Sequence, residues 1–170
     1  DIPTMNTVSF DLEWDHTGRI DILGLAFNQG KAVTACERTD KTFAQFVDVL
    51  HKSDRIAAHN GIDADLVRLM ENGIDVSQLL PKTFDTRLAF FATAGHLAGS
   101  GSFDLRSVTM LLGGHQGYRY TLDWKKYESD LHRTCALDAG AVSWCVPTLD
   151  RLIDSYKVQK TVDILHKCQP

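Results

Sequence analysis

Thr7-Val8-Ser9-Phe10-Asp11-Leu12-Glu13-Trp14 alternates small or polar residues with apolar ones and reads as a β-strand. His16-Thr17-Gly18 is a turn, and residues 19–27 (RIDILGLAF) form a second strand. Asn28-Gln29-Gly30 has the length of a connection between antiparallel strands, and residues 31–37 (KAVTACE) form the third. The opening is therefore a three-stranded meander.

Working outward, Thr42 is placed to cap a helix whose Phe43, Phe46, Val47 and Leu50 fall at i, i+3, i+4 and i+7. Residues 55–59 (RIAAH) are a short strand, and Asn60-Gly61 is a turn. Asp65 opens a helix with Leu66, Leu69 and Met70 on one face, ended by Asn72-Gly73. After Pro81 come a strand over 82–85 and a helix over 86–97 with Leu88, Phe91 and Ala92 inward. Residues 98–102 (AGSGS) break the chain before a helix over 103–112. Residues 115–124 (HQGYRYTLDW) are irregular. Helix propensity returns from Lys125, with Pro147 expected to kink or split that region, and 157–170 is a polar helical tail. This order predicts a mixed α/β domain with one sheet covered by helices.

At 170 residues the chain suits a single domain, and 44% hydrophobic with 24% charged residues suits a packed core. Eighteen Lys and Arg face twenty-two Asp and Glu, a formal charge of −4, which on composition alone argues against a basic protein that coats nucleic acid. Cys36, Cys135, Cys145 and Cys168 include no Cys-x-x-Cys pair, so a zinc ribbon or thioredoxin-type site is excluded and reduced, packed thiols are expected. No stretch approaches ~20 apolar residues, so no membrane span is expected. With no charged-then-apolar leader pattern, the expected location is cytoplasmic.

Four acids stand out. Asp11 and Glu13 lie two apart on the first strand, so both carboxylates project from one face. Two like charges there repel. A bound divalent cation removes the conflict, and oxygen-only ligands suit magnesium or manganese; two solvated acids on an edge strand are the alternative. Asp65, in HNGIDADLVRL (59–69), starts a helix and suits a cap. Asp138, in TCALDAGA (134–141), sits among small and apolar residues on a helix, where an acid is costly unless paired or bound to metal.

Asp11-x-Glu13, Asn60 with Asp65 five positions later, and Asp138 on a late helix resemble the three motifs of the DEDD 3'–5' exonucleases. The resemblance is closest to the proofreading domains of phage and bacterial family A DNA polymerases. It is carried by VSFDLEW, RIDILGLAF, HNGIDADLVRL, TFDTRLAFF and CALDAGAV, spanning about residues 7–155. It implies a ribonuclease H-like fold, with a mixed five-stranded sheet of antiparallel meander plus parallel strands between helices. It further implies that Asp11, Glu13, Asp65 and Asp138 hold two divalent ions, Mg2+ or Mn2+. The implied reaction is hydrolysis of a terminal phosphodiester at a single-stranded DNA 3' end, releasing a nucleoside 5'-monophosphate. The implied setting is a polymerase or other replication partner. Leu12 and Asn60 take supporting positions, with Glu13 near the 3' hydroxyl. Related enzymes trim RNA, so an exoribonuclease is a further expectation, as is a weakened fold that only binds nucleic acid or a partner.

Two features depart from the family pattern. Asp63 rivals Asp65, but falls three positions after Asn60 where the family uses four or five, so Asp65 is preferred, although Ala64 stands where the family usually has an aromatic. The family places a Tyr four residues before the last Asp, or a His five before it; here those positions hold Thr134 and Arg133, with His132 one position too early. His132, Tyr127, Tyr118 or Tyr120 are candidates to replace that side chain. Arg119, Lys125 and Lys126 interleave with Tyr118, Tyr120, Trp124 and Tyr127 in a pattern suited to single-stranded nucleic acid. Asp85 (in FDT) suits a helix cap, or a residue that orients the site. Without the four proposed ligands, eighteen acids would balance eighteen bases, so the excess of acid is numerically the metal-free site. Nucleic-acid binding without metal is then expected to be weak and salt-sensitive.

Overall fold

The computed structural model describes residues 5–99, 101–113 and 130–168. The alternating octapeptide is β1 (Thr7–Trp14), paired antiparallel with β2 (Ile20–Phe27), which pairs antiparallel with β3 (Ala32–Glu37). β4 (Arg55–Ala58) joins β1 in parallel, and β5 (Thr83–Asp85) joins β4 in parallel. The sheet order is β3-β2-β1-β4-β5. This is an α/β fold with one mixed five-stranded sheet, in the ribonuclease H-like arrangement.

Helices cover both faces because alternate residues of the central strands are apolar on both. Phe10, Leu12, Ile56 and Ala58 face α1 (Asp40–Lys52) and α2 (Asp65–Glu71), packing against Phe46, Leu50 and Leu69. Ala57 and Phe84 belong to a second cluster with α3 (Thr86–Ala94), α4 (Leu105–Leu111) and α5 (Leu131–Tyr156). A last helix, α6 (Gln159–Lys167), adds Val162 to that cluster.

Four local expectations are corrected. α1 is capped by Thr39, not Thr42; Thr42 is the third helical residue, and the two exchange side-chain-to-backbone hydrogen bonds in a capping box. Met70 and Phe91 are exposed, at 55% and 58%, because each helix is short and turns a narrower face inward. Phe90, the neighbour of Phe91, is the fully buried ring. Pro147 does not split its helix, and α5 runs through it for 26 residues. Leaving a helix interior without one N–H costs ~3 kcal/mol, and burial of Val142, Cys145, Val146 and Leu149 around Pro147 offsets it. All four cysteines are free; Cys135 and Cys145 are buried, and Cys36 and Cys168 are exposed.

Lys82, just before β5, ties the edge strand to α1. Its Nζ donates to the carbonyls of Leu50, His51 and Ser53 at 2.7, 2.8 and 2.7 Å, at the C-terminal end of α1, where orphan carbonyls and the helix dipole favour a cation. Partial burial pulls the ammonium below its usual range. Lys82→Met keeps the stem and removes these bonds, so a loss of about 1–2 kcal/mol in denaturant unfolding is expected. Among the described residues no helix is long and apolar enough to cross a membrane.

Candidate functional site

β1 is longer than β4. Their pairing ends at Ser9 and Ala57, so the half of β1 carrying Asp11 and Glu13 runs on beyond its parallel neighbour. Leu12 points into the core at 3% exposure. By the strand period Asp11 and Glu13 point to the opposite face, toward α5.

α5 reaches that face at close range, for a reason visible in β2. Gly24 lies directly opposite Asp11. A Cβ added to Gly24 would stand 2.7 Å from Cys135 Sγ and 3.0 Å from the Cys135 carbonyl. The Cys135 thiol donates to the Asp11 carbonyl at 3.3 Å, pinning α5 to the strand. Burial and the neighbouring carboxylates push that thiol up, so it remains protonated. One turn further along α5, Asp138 arrives buried beside the two strand acids. A carboxylate oxygen from each of Asp11, Glu13 and Asp138 lies within 4.8 Å of the others.

Asp65 stands next to this triple. It is 4% exposed at the start of α2, and the backbone of Asp65 itself and of Leu12 offsets part of the rise that burial gives its carboxyl. Leu12 keeps its side chain in the core, and its main chain acts on the Asp65 carboxyl. Asp63 is exposed and faces away from the burial that Asp65 enjoys. Burial raises Asp65 to about 8, with Asp85 and Glu13 adding to the rise. Burial raises Asp11 well above the usual carboxylate range, followed by the charges of Asp65, Asp138 and Glu13. Four acids therefore share one field at the open end of the sheet.

The donor set fits a hard divalent cation. All candidate ligands are carboxylate oxygens, and one oxygen from each of Asp11, Glu13 and Asp138 lies within 4.8 Å of the others, close enough to share one ion. No family model and no curated protein matches this chain.

The supporting residues divide. Asn60 ends β4's turn in the left-handed region, φ +58°, and its N–H donates to Asp85. Thr134 is buried one turn before Asp138, and its hydroxyl donates to the Asp130 carbonyl at 3.0 Å, within its own helix. His132 and Arg133 are exposed on the first turn of α5. Tyr127 and Lys126, with Tyr118, Arg119, Tyr120, Trp124 and Lys125, lie outside the described residues. His59, at the end of β4, is structural: its Nε2 donates to the Phe103 carbonyl at 2.7 Å, so Nδ1 accepts from the Thr86 hydroxyl at 2.9 Å. A groove of about 880 Å³ lies apart from the acids, between α2 and α6, lined by Leu66, Met70, Phe84 and Val162.

Two contributors were not assigned from sequence. Gly24 was readable, because a glycine inside a strand marks a close backbone approach. Cys135 carried no sequence signal, since its contact with Asp11 spans 124 positions. Gly24→Ala is expected to push α5 outward, costing about 1–3 kcal/mol as overpacking does. It should also weaken Mn2+ binding in a calorimetric titration, because Asp138 moves with the helix.

Proposed function

We propose that this chain is a metal-dependent 3'–5' exonuclease that removes nucleoside 5'-monophosphates from single-stranded or frayed DNA ends, in a proofreading or related replication setting. The observation that carries this reading is the convergence of Asp11, Glu13 and Asp138, with Asp65 buried beside them. Asp11, Glu13, Asp138 and Asp65 are the residues that would hold two divalent ions, Mg2+ or Mn2+. When bound, such ions supply water activation and counter-charge for the attacking and leaving oxygens of an in-line displacement.

The chain's own residues account for the rest. Glu13 is half-buried where β1 runs past β4, the position from which it would meet a terminal 3' hydroxyl. Asp11 is shared by the whole group, since the charges of the other three all act on it. The chain carries more acids than bases, so the ions rather than lysines and arginines would attract the phosphate.

One observation favours a second reading. Thr134 occupies the place where the resembled family has a water-orienting Tyr, and its hydroxyl donates into its own helix. A slow enzyme, or a domain that binds nucleic acid or a protein partner without cutting, follows if nothing replaces that role.

End-labelled DNA and RNA oligonucleotides incubated with Mg2+ or Mn2+ test the proposal. Stepwise shortening of DNA from the 3' end supports it. Shortening of RNA alone makes the chain an exoribonuclease. Binding without cleavage under either metal leaves the second reading.

A further inference from the structure

Asp85 does more than a helix cap needs. It is 1% exposed, and its carboxylate accepts four backbone N–H groups. Oδ1 accepts from Arg87 at 3.0 Å and Leu88 at 3.4 Å, which caps α3. The same oxygen accepts from Asn60 at 3.0 Å, and Oδ2 accepts from Ile62 at 3.3 Å. These last two donors belong to the turn that leads from β4 to Asp65. A serine or threonine would satisfy the cap; the bond to Ile62 takes the second carboxylate oxygen, and the one to Asn60 takes the reach of the first. The turn needs holding, because Asn60 is left-handed, a conformation that persists in a non-glycine residue when its surroundings fix it. Asp85 is itself held from behind: its N–H donates to His166 Nε2 at 2.9 Å, and His166 Nδ1 donates to the Val162 carbonyl at 2.8 Å, so α6 braces the edge strand.

We propose that Asp85 is a positioning residue whose carboxylate fixes the Asn60–Ile62 turn and thereby sets Asp65 against Asp11, Glu13 and Asp138. This rests on reading those acids as a metal centre. Asp85 touches no reacting group; it acts through the turn, as a residue behind a metal ligand does.

Asp85→Ser in the full chain tests it, since a serine hydroxyl serves as an α3 cap but lacks the second oxygen that Ile62 uses, and it sits one bond nearer the main chain than the Oδ1 that Asn60 uses. Amide hydrogen exchange at Asn60 and Ile62 is expected to quicken by about tenfold or more, with Arg87 and Leu88 unchanged. Affinity for Mn2+ alone should fall roughly 10–100-fold, the range found when a ligand's support is removed. On labelled single-stranded DNA, kcat should fall by a comparable factor while KM stays within about threefold. Lys82→Met, a destabilising change on the far side of β5, should leave Mn2+ affinity and kcat untouched. Should Asp85→Ser not fold, Asp85→Asn serves: it keeps one oxygen and turns an amide N–H against that of Ile62, so exchange there still quickens. Unchanged exchange at Asn60 and Ile62 overturns the proposal, as does quickened exchange with wild-type Mn2+ affinity. A wild-type chain that neither binds Mn2+ nor cuts refutes the metal centre and, with it, the functional half of the proposal; exchange still decides whether Asp85 fixes the turn.

Discussion

Asp11→Asn is expected to abolish tight Mn2+ binding and to cut 3'–5' hydrolysis by at least about a thousandfold, while making the metal-free protein more stable. The loss follows from position. Asp11 is the acid on which Asp65, Asp138 and Glu13 all act, and removal of one preorganised electrostatic group from an active site already costs about 10²–10³ in rate. The gain follows from the same charges. Asparagine has almost the volume of aspartate, so packing is preserved, and the Cys135 bond goes to the main-chain carbonyl and survives. What disappears at neutral pH and above is a carboxyl that must either hold its proton against the solution or carry charge beside three other acids. Opposite signs distinguish this from a structural role, in which activity and stability fall together. Melting in EDTA at pH 8, a Mn2+ titration and a labelled-DNA assay decide it. Cleavage at the wild-type rate, or a metal-free variant less stable than wild type, would show that Asp11 is not the shared ligand.

The sheet was legible because its signal is local. A period of two over Thr7–Trp14 and short connections afterwards leave little freedom in how β1, β2 and β3 pair. The i, i+2 rule likewise put Asp11 and Glu13 on one face. Sequence misjudged the orientation of short helices: Met70 and Phe91 lie on helices of seven and nine residues, where periodicity barely distinguishes a buried position from its neighbour. Pro147 was expected to kink or split its helix, and no split occurs because tertiary packing outweighed local propensity. Asp65 over Asp63 was a choice of spacing; of the two, Asp65 is the buried one. How Asp138 and Asp65 come to stand by the strand acids was beyond sequence: the first depends on Gly24 letting α5 descend onto β2, and the turn before the second is bonded by Asp85, 25 positions away.

The metal-free protein is expected to lose stability as pH rises through neutrality, and divalent metal should reverse that slope. Asp65 titrates near 8 in the native state and near 4 in the unfolded chain. Well below pH 4 both states hold the proton, and its contribution to native stability is complete. Above that the unfolded chain releases the proton while the native chain keeps it, so stability falls until the native group ionises. Asp11 is shifted in the same direction and steepens the fall. His59 acts oppositely: burial lowers it, so its unfavourable contribution is felt in acid and fades as pH rises through about 6.5. The thiols of Cys135 and Cys145 are raised, and they add to the loss only as unfolded cysteine ionises, from about pH 8. Asp15 and Asp75, held low by hydrogen bonds in their own turns, matter only below about pH 4. The interval from pH 7 to 8 therefore isolates the site. Asp65 alone should remove about 1 kcal/mol there, read by urea unfolding in EDTA. Asp65→Asn should flatten the slope. Saturating Mn2+ favours the ionised carboxylates, so the stability it adds should grow from pH 7 to pH 8. A wild-type slope that is flat in EDTA and indifferent to Mn2+ would mean that these four acids do not share one field.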